Sequence, residues 1–444
     1  MRYLCGMRVF SLESVLADDQ LDLALAPGLT PGGVVEYPSF FHGFAAYPQV
    51  VARGLATLAD VTATRYFQYV PTGLRDPILS AQGDRLRAEC FSACNGVYAR
   101  LDLLGAGFDG GDIGFGTTNV DVGMSLRQAL ANVGRDQLLH VDVGSEGLAV
   151  SGLDGTVHEH PVEMPDRWVR ALGNAAEMHC DLQPVLTLDK AQARTFVASL
   201  PAATGKAQSG WVTLTRSGVK VAAQRSTGAA YVSGLHRLSA LKRLLTNIDS
   251  LTFYAQPGQA GPVLVEVTLL AARLTLGLTD EAWRGFSGEG ALLEALAAPD
   301  VLDDAGLIGS LLAFEPVIDV AKISEQAELP VDRVRSGLAV LATAGKVGWD
   351  AHDQAWFHRE LPDDPDRVDK DNPRLVAGRR LVGSVASVGG GAWDVDSSGV
   401  VYRVAYDEAT GVAGARCTCT WYLRHGTGRG PCKHILAVQL AVRA

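Results

Sequence analysis

The sequence predicts an α+β protein in three parts: a large N-terminal body, a helical unit ending in a hairpin, and a small C-terminal domain organised around cysteine and histidine. Three observations carry this prediction. The chain has 444 residues, 47% of them hydrophobic and 20% charged, enough for several ordinary cores and too apolar for disorder. Helical and alternating apolar patterns are mixed along its length. A polar stretch, PDDPDRVDKDNP at 362–373, carries five aspartates and only Val368 as a large apolar residue, and so reads as a solvated acidic linker.

Residues 1–300 form the body. Helical patterns are expected over Val50–Ala63 and Ser80–Cys94, separated by a turn region at Pro71–Pro77. Between 137 and 260 a pattern occurs twice. LLHVDVGSEGLAVSG, TVHEHPVEM and DRWVRALGNAAEM are followed about 70 residues later by GWVTLTRSGVKVAAQ, AAYVSG and LHRLSALKRLL. Both copies read as strands joined by glycine turns and followed by a helix. An internal repeat and an ordinary α+β succession both account for this.

Residues 301–361 read as a winged helix-turn-helix. LIGSLLAF (307–314) and VAKISEQAEL (320–329) are helices, and Pro330 opens a third, since its missing N–H costs nothing in a first turn. Val334, Leu338, Leu341 and Ala342 share one face of that helix, and Gly345 ends it. KVGWDAHDQAWFH (346–358) follows as a two-stranded wing turning at His352-Asp353. Between Val317 and Glu360 five basic residues face seven acids, a poor balance for holding phosphates. Arg333 and Arg335 are the groove-facing candidates, and docking to protein suits the unit at least as well.

Residues 374–444 complete the chain. Three glycine-separated strands are expected, GSVASVGGGAWDV, GVVYRVAYDEATG and VAGARCTC, then a helix over KHILAVQLAV. Cys417 and Cys419, two apart on a strand, leave on one face. Cys432 and His434 stand at the start of the helix, after the glycine-rich loop 425–430, which can fold the second pair onto the first. Three thiols and an imidazole describe a tetrahedral zinc site with no position left for water, which points to structure rather than hydrolysis. Two unrelated surface pairs, or a redox cysteine cluster, are the plainer alternatives.

Cys417-x-Cys419, twelve residues, then Cys432-x-His434 resembles the SWIM zinc finger, with its CxCx(n)CxH signature and ββα shape, over roughly 395–443. The Pro431-Cys432-Lys433-His434-Ile435 ending is typical of that family. FFHGF (40–44), DRLRAECFSACNGVYARLDLL (84–104), FGTTNVDV (115–122) and RGFSGEG (284–290) are similar to uncharacterised bacterial SWIM-finger proteins. The resemblance implies zinc as cofactor and binding to DNA or to proteins, and it does not imply an enzyme. Family members are often encoded beside AAA-type ATPases and von Willebrand A-domain proteins, so the resemblance also implies a multiprotein assembly.

Charge and motifs narrow the function further. From Asn372 on, nine basic residues face four acids, while the whole chain carries −10, so an anionic partner meets the tail. Arg416, Arg424, Arg429 and Lys433 interleave with Trp421 and Tyr422, a pattern suited to phosphates and to stacked bases. The alternative is that the two rings pack over the metal and the arginines keep the surface soluble. Seven cysteines spread thinly over the chain argue against a disulfide framework. No continuous apolar h-region opens the sequence and no run approaches a membrane span, so a cytoplasmic setting without membrane contact is expected.

Other signals are weaker. Gly105–Gly110 fits G-x-G-x-x-G but lacks the flanking pattern of a nucleotide loop, and is expected to be mobile. His158, His160, His179 and Cys180 have no ligand spacing, and Cys90 with Cys94 reads as buried small residues of a helix. No catalytic motif occurs, so no enzyme is expected.

Overall fold

The computed structural model describes residues 39–69, 77–144, 146–162, 164, 166–288, 290, 292–298, 300–359, 361 and 367–443, with two short hairpins between Val15 and Val35. Helices and strands are mixed throughout, as an α+β chain requires.

The body is built on an antiparallel sheet of eight strands. Its order in space is Phe115–Asn119, Ile78–Gln82, Arg85–Phe91, Val97–Leu104, Ala272–Leu278, Val263–Leu269, Ser250–Ala255 and Gln183–Leu188. Residues 80–94, expected to be helical, instead run through the strands Ile78–Gln82 and Arg85–Phe91 into a turn that carries Cys94. The reason is a period of two. In Arg85–Phe91 the small and apolar Leu86, Ala88 and Cys90 alternate with Arg85, Arg87 and Glu89. Val97–Leu104 repeats this with Ala99, Leu101 and Leu103 against Arg100 and Asp102. The apolar face packs under the helix Pro48–Thr62: Cys90 donates to the Leu58 carbonyl, and a Cβ on Gly54 would stand 2.7 Å from Leu101. Cys90 is thus a buried small residue, but of a strand.

A second sheet of five strands, ordered Gly155–Glu159, Gly147–Gly152, His140–Gly144, Ser39–Ala45 and Phe108–Ile113, closes one side of the body. Residues 105–110, expected as a mobile loop, are a 3-10 turn, Gly105–Gly107, running into the last of these strands. The two sequence copies differ in pairing. In the first, Gly147–Gly152 is flanked by the strands before and after it. In the second, Gly210–Thr215 lies between Gly218–Ala222 and Ala230–Val232. The helix Asp166–His179 follows the first copy, and a 3-10 helix, Leu235–Leu244, follows the second.

Three helices, Val301–Leu311, Val320–Ala327 and Val331–Thr343, then precede a hairpin of Val347–Asp350 and Ala355–His358. Asp319 caps the second helix by accepting from the Ala321 and Lys322 amides. Gly345, at φ +74, ends the third. Arg333 forks onto Asp304 at 2.7 and 2.6 Å, tying the third helix to the first. Gly173 of the body lets the third helix approach closely, since a Cβ there would lie 2.5 Å from the Ala342 carbonyl.

The hairpin lies on the charged face of the eight-stranded sheet. Asp350 receives Arg87 and Arg100, both at 2.8 Å, while Asp102 receives Arg87 at 2.6 Å and Arg100 at 2.9 Å. Arg359 forks onto Glu89, which also accepts from the Tyr98 hydroxyl, and the Phe357 ring lies 3.6 Å under the Arg87 guanidinium. Every one of these charges is buried with a partner.

Where a solvated linker is expected, its described part, 367–373, is instead ordered. Arg367–Asp371 is a short helix with Arg367 and Val368 buried, and Pro373–Leu381 is another. Leu375 of that helix and Leu436 of the last helix join one core with Leu292, Leu338 and Trp356. No described helix is long and apolar enough to cross a membrane.

Candidate metal centre

The C-terminal residues form a four-stranded antiparallel sheet, Val385–Gly389, Ala392–Ser397, Val400–Ala405 and Arg416–Cys417, with the helices Thr420–His425 and Lys433–Arg443. Glycines at φ +90, +61 and +76, Gly389 to Gly391, turn the first hairpin. This is more elaborate than a ββα unit: there are two further strands and two further short helices, Gly411–Gly414 and Thr420–His425.

Cys417 ends the last strand, paired with Val404. Cys419 is not its neighbour on that strand. It is the N-cap of Thr420–His425, its sulfur accepting from the Tyr422 amide at 3.4 Å. The Cys417 sulfur accepts from the Cys419 amide, also at 3.4 Å. Cys432 precedes the last helix and His434 is in its first turn. One ligand atom from each of these four buried residues lies within 4.8 Å of all the others, and Cys417 Sγ stands 3.7 Å from His434 Nδ1.

The donor set fits one cation. Three thiols and an imidazole are brought together out of water with no positive side chain among them. Hydrogen bonding, first from Cys417, pushes the Cys432 thiol down to about 4, while the same bond and burial push Cys417 up. Burial raises Cys419 as well. A divalent ion with bonds of about 2.0–2.3 Å lets all three ionise. Amide N–H groups aimed at two sulfurs favour the anionic forms. The His434 ring is fixed by stacking on Tyr402, centroids 4.2 Å apart.

The loop between the ligand pairs is seated on the body. Arg374 lies 4.4 Å over the Trp421 ring and donates to the carbonyls of Arg429 (2.7 Å) and Pro431 (3.0 Å). Arg429 covers the same ring at 5.7 Å and donates to the Gly288 carbonyl at 3.2 Å. Arg284 donates to the Gly428 carbonyl at 3.1 Å. Arg284 and Gly288 of the RGFSGEG stretch thus help seat the finger's loop. Neither Arg374 nor Tyr402 stood out in the sequence, and only the basic character of 372–444 pointed toward the former.

The six residues singled out for partner contact divide. Arg416 and Arg424 are exposed, and Trp421 and Tyr422 are half-buried. Arg429 is turned to the body as described, and Lys433 donates to Ser397 Oγ at 2.9 Å. Arg335 is exposed. Among the described residues, His158, His160, His179 and Cys180 belong to no metal-ligating group. His179 is buried under Phe286 and Tyr98, and burial, then Arg100, pushes its pKa down to about 3.

Residues 402–442 match the family model of the SWIM zinc finger. No curated protein matches the chain. Among solved structures, the crystal structure of Proliferating Cellular Nuclear Antigen from Entamoeba histolytica is similar at 14% identity, over 55% of this chain and 99% of that one. Its TM-score is 0.36, too low a likeness to carry an argument.

Proposed function

We propose that this chain, which carries a SWIM zinc finger, is a zinc-folded, non-enzymatic interaction protein whose finger contacts DNA. The observation that carries the reading is the closed set of four buried donors, Cys417, Cys419, Cys432 and His434. Zinc, when bound, supplies the cross-link that holds the last strand, the short helix and the final helix together. A set filled by four protein ligands is built for folding rather than for activating water. Arg416 and Arg424, both exposed, then supply phosphate contacts. Three metal-binding thiolates suit a reducing compartment such as the cytoplasm.

The three helices and hairpin of 301–358 follow the order of a winged helix. We read them as a docking unit and not as a groove reader, because the hairpin is spent on the sheet of the body.

Fluorescence anisotropy of the full-length, zinc-loaded protein on single- and double-stranded DNA tests the reading. Two phosphate contacts give a log–log salt slope of about −2. The double variant Arg416→Glu, Arg424→Glu is expected to remove binding while leaving zinc content unchanged. Absence of binding at low salt sinks the DNA reading.

One observation favours a second reading. Trp421 is covered by Arg374 and Arg429 and so is not open to a base. The finger then serves as a protein-only adapter in a multiprotein assembly, with an AAA-type ATPase or a von Willebrand A-domain protein as the partner the family resemblance implies. Retention of a specific protein that survives nuclease, by a chain silent on DNA, is the result that selects it.

A further inference from the structure

A cleft of about 540 Å³ opens on the body, lined only by residues between Ala46 and Leu270 and thus separate from the finger. Besides Leu270, its walls come from four places. They are the start of the helix Pro48–Thr62, the loop carrying Arg135, the helix Lys190–Ser199, and the turn Thr246–Asp249.

The charges here are unusual for a chain of net charge −10. Elsewhere in the body several arginines are matched to carboxylates, Arg87 and Arg100 to Asp102 and Asp350, Arg359 to Glu89, Arg127 and Arg243 to Asp60, while Arg237 is enclosed in the core on neutral acceptors such as Thr279. Three guanidinium groups, two in the cleft wall and one beside it, have no carboxylate. Arg53, beside it, donates to Asn247 Oδ1 at 2.7 Å and to Thr246 Oγ1. Arg194 donates to the Thr246 carbonyl at 2.7 Å, and its Nε is buried with no acceptor. Arg135 is exposed and makes no ion pair among the described residues. Lys190 alone is paired, with Asp249 at 2.7 Å.

Neutral acceptors hold Arg53 and Arg194 in place without discharging them. Fixed, uncompensated guanidinium groups around a concave wall are how proteins take up phosphate, because the planar fork matches its oxygens. The helix whose first turn lines the wall adds the positive end of its dipole. Tyr47, at the rim and 40% exposed, offers a ring face beside the charges. The volume falls within the range of small-ligand sites, 300–1,000 Å³ by order of magnitude. We infer that this cleft binds a mononucleotide, its phosphates between Arg53, Arg135 and Arg194 and its base against Tyr47.

Isothermal titration of the full-length, zinc-loaded protein with ATP, ADP, AMP and pyrophosphate at low salt tests the inference. Saturable binding of a nucleotide is expected, weakened about tenfold by Arg135→Ala and again by Arg194→Met, since each removes one charge-assisted contact. Arg135 is exposed, so its variant keeps the wild-type melting curve and separates loss of binding from loss of fold. Tyr47→Ala is expected to weaken the nucleotides and leave pyrophosphate unchanged. Three results overturn the inference: no heat or saturation with any of the four, affinity insensitive to both arginine variants, or pyrophosphate binding as tightly as the nucleotides with Tyr47→Ala silent.

Discussion

Asp350, in the hairpin, and Arg87, in the centre of the eight-stranded sheet, meet at 2.8 Å with both side chains fully buried. Burial alone would raise the Asp350 carboxyl. Arg100, then Arg87, Arg273 and Arg85, hold it well below the usual carboxylate range. Asp350→Asn keeps the shape and removes the charge, leaving the buried guanidinium groups of Arg87, Arg100 and Arg273 to share Asp102. The loss expected is about 3–5 kcal/mol, the cost of stranding a buried charge. Urea unfolding of the full chain measures it, and a loss below about 1 kcal/mol would show that water reaches the network.

That network also explains which parts of the fold were legible. The metal ligands stood out because chemistry fixes both residue type and spacing, so Cys417, Cys419, Cys432 and His434 could be named from the sequence. The helix Pro48–Thr62 and the helices Val320–Ala327 and Val331–Thr343 followed from ordinary apolar periodicity, whereas the helix expected at 307–314 runs instead from Val301 to Leu311. The strands Arg85–Phe91 and Val97–Leu104 did not, because alternation normally marks a wet face and a dry face. Here the face carrying Arg87, Glu89, Arg100 and Asp102 is as dry as the other. Its cover comes from residues 347–359, more than 240 positions away, and no local pattern announces that. The linker was misjudged for the same reason. Arg367 and Val368 are buried by distant elements, although the surrounding aspartates look solvated.

The seating of the finger's loop gives a second prediction. Arg374 makes a stacking contact with Trp421 and two short bonds to carbonyls of that loop. Arg374→Ala is expected to cost about 2 kcal/mol and to speed zinc transfer to a colorimetric chelator severalfold. Gly430→Ala tests the same seat from its other side. Gly430 has φ +72, and a Cβ there would lie 2.2 Å from the Gly290 carbonyl. If both variants release zinc at the wild-type rate, the loop's seat on the body does not support the centre.

Glu177 makes stability depend on pH. Burial, then Asp181 and Glu294, raise its carboxyl from 4.5 to about 7. Below 4.5 it is protonated whether the chain is folded or not. As pH rises from 4.5 to about 7 the unfolded chain ionises first, so stability falls through that window. His179 and His358, both pushed down to about 3 chiefly by burial, act oppositely: their contribution is lost as pH falls below 6.5. The difference between wild type and Glu177→Gln isolates the carboxyl. The variant is expected to gain about 2–3 kcal/mol relative to wild type between pH 4.5 and 7. Parallel stability curves for the two proteins would assign Glu177 an ordinary pKa.

Removing one metal ligand tests how far the centre's influence extends. Cys432→Ser leaves a hydroxyl that does not replace a thiolate, so the zinc is expected to be lost, and with it a contribution on the order of 10 kcal/mol to the finger. An acidic linker over 362–373 would confine the damage to the tail. The structure argues for spread. Leu436 of the last helix and Leu375 of the preceding helix lie in one core with Leu292, Leu338 and Trp356. Gln439 donates to the Glu294 carbonyl at 2.9 Å, and the Val412 amide donates to the Glu294 carboxylate. Losing the final helix therefore opens the wall of the 301–358 unit. Hydrogen exchange on the variant, or on wild type treated with a chelator, is expected to show faster exchange in Val331–Thr343 as well as in the finger. Protection of that helix at the wild-type level, with the finger unfolded, would show that the shared core is not cooperative.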